Sequence, residues 1–202
     1  MDRSQEKAKG LRAALESMTF VHPITPLVMW VPFILFLYYQ GAVNYPVSIK
    51  NWTIIFVFGI LGWSLTEYLI HRFAFHHKAN SRWGRYLIFL FHGIHHDDPD
   101  DKNRLVMPPL PGIMFVIIFW NTFKLFLSSQ IFFPFLGSFL VGYLIYDYIH
   151  YGTHHMKMNN RVGRFLKKWH LQHHYSKKGV QYGVSSPLWD YVFRTSPRKR
   201  RN

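Results

Sequence analysis

Four long apolar blocks dominate this 202-residue chain: Pro26–Tyr39, Trp52–Ile70, Leu110–Leu127 and Ile131–Ile149. The last three run 18–19 residues. At about 1.5 Å per residue each nearly matches the ~30 Å hydrocarbon core of a bilayer. The first is shorter in its strictly apolar part and extends to Tyr45. The blocks therefore predict spans near 26–45, 52–70, 110–127 and 131–149. Trp30, Tyr45, Trp52 and Tyr143 are aromatic residues of the kind that anchor helices at interfaces. A soluble helical bundle has no need of four such blocks in so short a chain. The expected fold is all-α: a single polytopic membrane domain over residues 1–202.

Charge gives the orientation. The net charge is +14, from 24 Lys+Arg against 10 Asp+Glu. A basic chain suits nucleic acid or the cytosolic face of a membrane, and the apolar blocks decide for the membrane. Four spans in hairpin order put 1–22, 71–109 and 152–202 on one side, with 22 of the 24 basic residues. Lys50 and Lys124 remain for the other side. The positive-inside bias makes both termini cytosolic. The membrane is endoplasmic reticulum in a eukaryote and the inner membrane in a bacterium. The charged first 18 residues, followed by Pro23, Pro26 and Pro32, do not read as a cleavable leader. Leu11, Leu15 and Met18 predict a short interfacial helix, and Arg161–Tyr175 predicts a basic amphipathic helix on the membrane surface. The tail from Pro197 to Asn202 reads as positive-inside charge.

The chain has no cysteine, so any metal is held by histidine, carboxylate or water. Ten of its 13 histidines fall into four clusters: His71 and His76; His92, His95 and His96; His150 and His154; His170, His173 and His174. Residues three or four apart share a helix face, so each of the last three clusters can converge. His71 and His76 are five apart and need a helix break, or they face two different metals. The topology adds an independent point. His71 ends the second block, His150 ends the fourth, and the other clusters lie in cytosolic segments. All four meet at one face of the membrane. Ten imidazoles are too many for one ion and suit two, with about five each. His22, His77 and His155 fall outside the repeated spacing and are read as non-ligands. Glu67 and Asp147 lie one turn before a ligand, where each is placed to accept the second N–H of a histidine. Asp190 is a third candidate for that role. Asp97, Asp98, Asp100 and Asp101 read as a solvated loop.

The histidine set, with Glu67–His76 (EYLIHRFAFH), Phe91–His96 (FHGIHH), Arg104–Pro109 (RLVMPP), Tyr146–Tyr151 (YDYIHY) and Tyr182–Phe193 (YGVSSPLWDYVF), resembles the sterol desaturase/fatty acid hydroxylase superfamily. Within it the chain is most similar to the fatty acid 2-hydroxylases. That resemblance implies a cytosolic helical cap over four spans and two irons at the ten histidine positions, with zinc as a substitute in purified protein. It implies O₂ as co-substrate and hydroxylation at C2 of a long acyl chain, free or in a ceramide-type sphingolipid. Many eukaryotic members carry a cytochrome b5 domain, for which this chain has no room. The resemblance thus implies a separate electron donor, cytochrome b5-like or ferredoxin-type with its reductase. Gly152 stands where a second aromatic is usual. A sterol or carotenoid oxygenase of the same superfamily is the first alternative, and a metal-transporting membrane protein the second. Transport would spread ligands along a path through the membrane, whereas here they collect at one end.

Overall fold

The computed structural model describes residues 10, 12–176 and 180–197. The expectations for Leu11 and for the tail beyond Pro197 lie outside the described residues. Residues 12–17 are helical and end at Met18, in keeping with the short N-terminal helix.

Four helices are long and apolar enough to cross a membrane, and they fall on the four apolar blocks. Helix α1 spans Thr25–Val43 and starts with proline in its first turn, where the missing N–H costs nothing. Helix α2 spans Ile49–Leu69, with the Ser48 hydroxyl accepting from the Asn51 N–H as its cap. It continues without a break into a π-helical turn, π1, at Ile70–Phe75. Helix α3 (Arg82–Ile88) leads into a second such turn, π2 (Phe89–Gly93), and then into α4 (Ile94–Asp97). Helix α5 covers Pro109–Phe126, α6 covers Ser129–His155, α7 covers Arg161–Tyr175 and α8 covers Leu188–Val192. Among the described residues there is no strand.

The apolar stretch predicted the fourth span to end near Ile149, but α6 runs six residues further, to His155. At 27 residues it is about 40 Å long and stands out of a ~30 Å core by two turns. Hydropathy marks where the lipid ends, and the helix does not end there. The extra turns carry His150 and His154 into the cap.

Helix α6 is also the central span: 56% of its apolar window is buried, against 6% for α5. Its neighbours approach it through small residues, as is usual where lipid tails offer no hydrophobic drive between helices. A Cβ on Gly59 of α2 would lie 2.5 Å from the Ser138 Cβ, so α2 and α6 touch backbone to backbone there. Trp30, Ile34, Leu37, Trp63, Phe139 and Tyr143 form the core of the bundle. Outward-facing residues are apolar as well, including Leu35, Phe58, Ile117 and Leu125. A surface apolar on its outer face throughout the spans is a lipid-facing surface. The bundle's role is to hold the ends of α2 and α6 side by side, with α4 and α7 closing over them.

Candidate metal centre

The ten predicted histidines come together as two groups of five. One holds His71, His76, His92, His96 and His173; the other holds His95, His150, His154, His170 and His174. Within each group one nitrogen per ring lies within 4.8 Å of all the others. We refer to these as the strap group and the helix group. His22, His77 and His155 belong to neither.

Two local devices produce this sorting. In π1 the His76 N–H donates to the His71 carbonyl at 3.2 Å, the five-residue spacing of a π-helix. Residues five apart then share a face, so His71 and His76 reach one centre without a helix break. The second device is helical register, carried from π2, which holds His92, into α4, which holds His95 and His96. His92 and His96, four apart, go to the strap group, while His95 between them turns to the helix group. In α7 the same pattern is reversed: His170 and His174 go to the helix group and His173 to the strap group. The sequence expectation that each three-histidine cluster converges on one point is thus corrected. Three and four residues are +300° and +400° around a helix, and the 100° difference is enough to divide neighbours between two centres.

The donor atoms are Nε2 throughout. In the strap group a run of contacts links His96 to His92 at 2.8 Å, His92 to His71 at 3.1 Å, His71 to His76 at 3.2 Å and His76 to His173 at 3.0 Å. The helix group has His150 to His95 at 2.9 Å, His95 to His174 at 3.0 Å, His174 to His170 at 3.0 Å and His170 to His154 at 2.9 Å. Ligands at right angles about an ion, with bonds of about 2.0–2.1 Å, sit about 3.0 Å apart; tetrahedral ligands sit about 3.4 Å apart. Five donors near 3 Å spacing fit an ion of higher coordination than four. Each group could hold one metal ion.

A ligating ring must be neutral, and burial keeps these so. His96 is lowered to about 3 and His76 to about 4, in each case by loss of solvent first and the His173 ring second. His92, His95, His170, His173 and His174 are also lowered, again chiefly by burial. At neutral pH their lone pairs are free for a cation.

Tautomers are fixed from outside. The His71 Nδ1–H donates to the Tyr182 carbonyl at 2.6 Å, and the His173 Nδ1–H to the Val180 carbonyl at 2.8 Å. Each bond leaves a bare Nε2 pointing inward. These two carbonyls occupy the place that the sequence offered to Glu67, Asp147 and Asp190. The three acids are buried as expected, but their hydrogen bonds go elsewhere. Glu67 accepts from the Val184 and Ser185 N–H groups at 2.6 and 2.8 Å, and from the Ser185 hydroxyl. Asp190 accepts from the Tyr182 and Gly183 N–H groups, the Trp169 indole and the Thr195 hydroxyl at 2.7–3.2 Å. Asp147 accepts from the Tyr143 hydroxyl at 3.2 Å. Glu67 and Asp190 therefore act at one remove: they clamp the strap of residues 180–185, and the strap orients two histidines. Sequence reasoning missed Val180 and Tyr182, because a backbone carbonyl leaves no mark in residue identity.

Comparison with known proteins agrees. The profile of the family described as fatty acid hydroxylase matches residues 56–195. A dihydroceramide fatty acyl 2-hydroxylase of Arabidopsis thaliana is 37% identical over 170 residues, covering 84% of this chain and 71% of the relative. The fatty acid 2-hydroxylase of Homo sapiens is 36% identical over 194 residues, covering 85% of this chain and 52% of the relative. The ceramide very long chain fatty acid hydroxylase scs7 of Schizosaccharomyces pombe is 36% identical over 186 residues, covering 87% and 53%. The chain thus spans from about half to 71% of the length of these relatives. A solved structure of full-length scs7p, in which only the hydroxylase domain is visible, superposes with a TM-score of 0.84 at 33% identity, over 91% of this chain and 70% of that one.

Proposed function

This chain belongs to the fatty acid hydroxylase family, and from that membership we propose that it inserts a hydroxyl group at C2 of long fatty acyl chains, free or amide-linked in a ceramide, at two irons held by the ten histidines. The observation that carries the reading is the pair of five-imidazole groups with right-angle donor spacing. Imidazole suits zinc and iron alike, and iron is the choice because it can activate dioxygen where zinc offers no redox chemistry. Bound iron supplies the oxygen-activating chemistry. Per turnover one O₂, two electrons and two protons convert the C–H bond to C–OH and release one water.

The chain's own residues do the rest. Neutral His71 and His173 present bare Nε2 atoms because their Nδ1–H groups are held by Tyr182 and Val180. His92, His95, His150 and His170 are buried, which keeps bulk water from their rings. The cap and both termini face the cytosol, by the charge bias of 22 basic residues to two. Electrons come from a protein donor of the cytochrome b5 or ferredoxin kind. The 34–40% identity to named 2-hydroxylases favours this reaction over sterol or carotenoid oxidation.

The test is expression in cells lacking 2-hydroxylated lipids, with mass spectrometry of hydrolysed acyl chains. Wild type yields 2-hydroxy acids, while His96→Ala yields none and binds less iron. Hydroxylated sterols or carotenoids in their place would overturn the substrate assignment.

A further inference from the structure

An apolar groove of about 470 Å³ runs along the foot of the cap. This lies within the ~300–1,000 Å³ usual for ligand sites. One wall is the chain leading into α1, from Met18 to Thr25; a second is Leu87, Leu90 and Phe91. The third is Pro108 to Leu110 with the first turns of α5, as far as Met114. A smaller cavity of about 30 Å³ touches His92, His95 and His150. The two share Thr19, Leu90, Phe91 and Pro108 as walls, so they lie side by side. At its far end the groove meets α5, the span the bundle buries least. Leu87, Leu110 and Met114 are about half exposed there.

We propose that this groove is the acyl-chain site and that the chain lies with its tail outward. The proposal rests on the hydroxylase reading above. C2 sits in the small cavity against His92, His95 and His150. The following methylenes pass the neck of Thr19, Leu90, Phe91 and Pro108, and the tail fills the groove and leaves into lipid beside α5. Adjacency to the histidine cavity identifies the occupant, because an apolar groove lying between the bilayer and the metal site suits a lipid tail and no polar molecule. Arg104 fixes the neck: its guanidinium donates to the Thr19 hydroxyl at 3.1 Å and pairs with Asp101 at 3.1 Å. The Val21 N–H donates to the Asn103 carbonyl at 2.7 Å, pinning the same wall. A groove open at its lipid end sets no upper limit on chain length.

The experiment uses the iron-loaded, reconstituted protein and a sixteen-carbon fatty acid with a diazirine at its terminal carbon, free and as the acyl chain of a ceramide. Photolysis labels peptides containing Leu87, Leu110 or Met114, and unlabelled acid competes. Whichever form labels identifies the source of the chain. Leu87→Trp and Met114→Trp narrow the groove at half-exposed positions, leave iron content unchanged, and cut labelling about tenfold. They also shift 2-hydroxylated products towards shorter chains. Labelling confined to other spans, or Trp variants with wild-type labelling and product lengths, overturns the groove assignment while the reaction stands. A wild type that hydroxylates no acyl chain overturns the reaction itself, and with it the placement of C2.

Discussion

The two five-histidine groups use the same residue type, the same donor atom and nearly the same spacing, yet they are braced differently. In the strap group, His71 and His173 are fixed by carbonyls of the 180–185 strap, which Glu67 and Asp190 in turn clamp. In the helix group the buried rings of His95 and His170 have no hydrogen-bond partner at Nδ1 among the described residues. Their orientation comes from packing: His150 and His154 ride on α6, His170 and His174 on α7, and the α7 residues Leu166 and Trp169 are buried beneath. One group is therefore held by directed polar contacts from a distant segment, and the other by rigid helices. Hydrogen bonds to a ligand set both its angle and its basicity, whereas packing sets its position alone. The strap group should answer to polar substitutions that the helix group ignores.

Asp190→Ala tests this most severely. It strips an acceptor from three buried donors, Tyr182 N–H, Gly183 N–H and the Trp169 indole, and from the half-buried Thr195 hydroxyl. Each unsatisfied donor costs about 1–3 kcal/mol, and the strap shifts to recover some of it. Metal affinity at the strap group should fall about 10–100-fold, the usual effect of losing outer support for a ligand. Counting metals per chain by mass spectrometry should show a fall from two towards one, with hydroxylation lost in parallel. Equal loss from both groups would break the distinction. Glu67→Gln sharpens it. The amide oxygen can keep the Val184 and Ser185 N–H groups, but its NH₂ cannot accept from the Ser185 hydroxyl. The expected result is a change of a few-fold, about 1 kcal/mol, in metal affinity at the strap group alone. No change would mean that the clamp works by shape and not by charge.

The same contrast explains what the residues disclosed before the structure. The helix group follows from α-helical register and from hairpin topology, both of which hydropathy and histidine spacing encode. Four clusters on one face was a consequence of counting spans. The π1 turn was not legible, because His71 and His76 at five-residue spacing fit a break or two separate metals equally well. The division of His95 from His92 and His96 depends on where a second centre lies, which is a tertiary fact. The strap is harder still. Val184 lies 117 residues from Glu67, and the contact runs through backbone N–H groups common to every sequence. Glu67 was visible as a buried acid in a span, and its burial was legible from that position. Its partner was not legible because the nearest candidate ligand in sequence is His71, one turn away, while its donors come from Val184 and Ser185 in a loop from the far end of the chain.

The smallest effect should fall on both groups alike. Helix α7 delivers His170 and His174 to the helix group and His173 to the strap group, so its position is common to both. Its first turn is held by Asn160, whose side-chain oxygen accepts from the Gly163 N–H at 2.6 Å. Asn160→Ala removes that cap at a cost of about 1 kcal/mol. For a chain of this length the melting temperature should drop by about 2–4 °C. The cap is three turns from His173, so the loss loosens the helix as a body without tilting one ring against another. Both ions should weaken together and by the same factor, and the metal count should stay balanced as chelator is added. A strap-first loss in this variant would mean that α7 is held chiefly from its strap side, through the Trp169–Asp190 bond, and that the helix group is stiffer than packing on α6 alone provides.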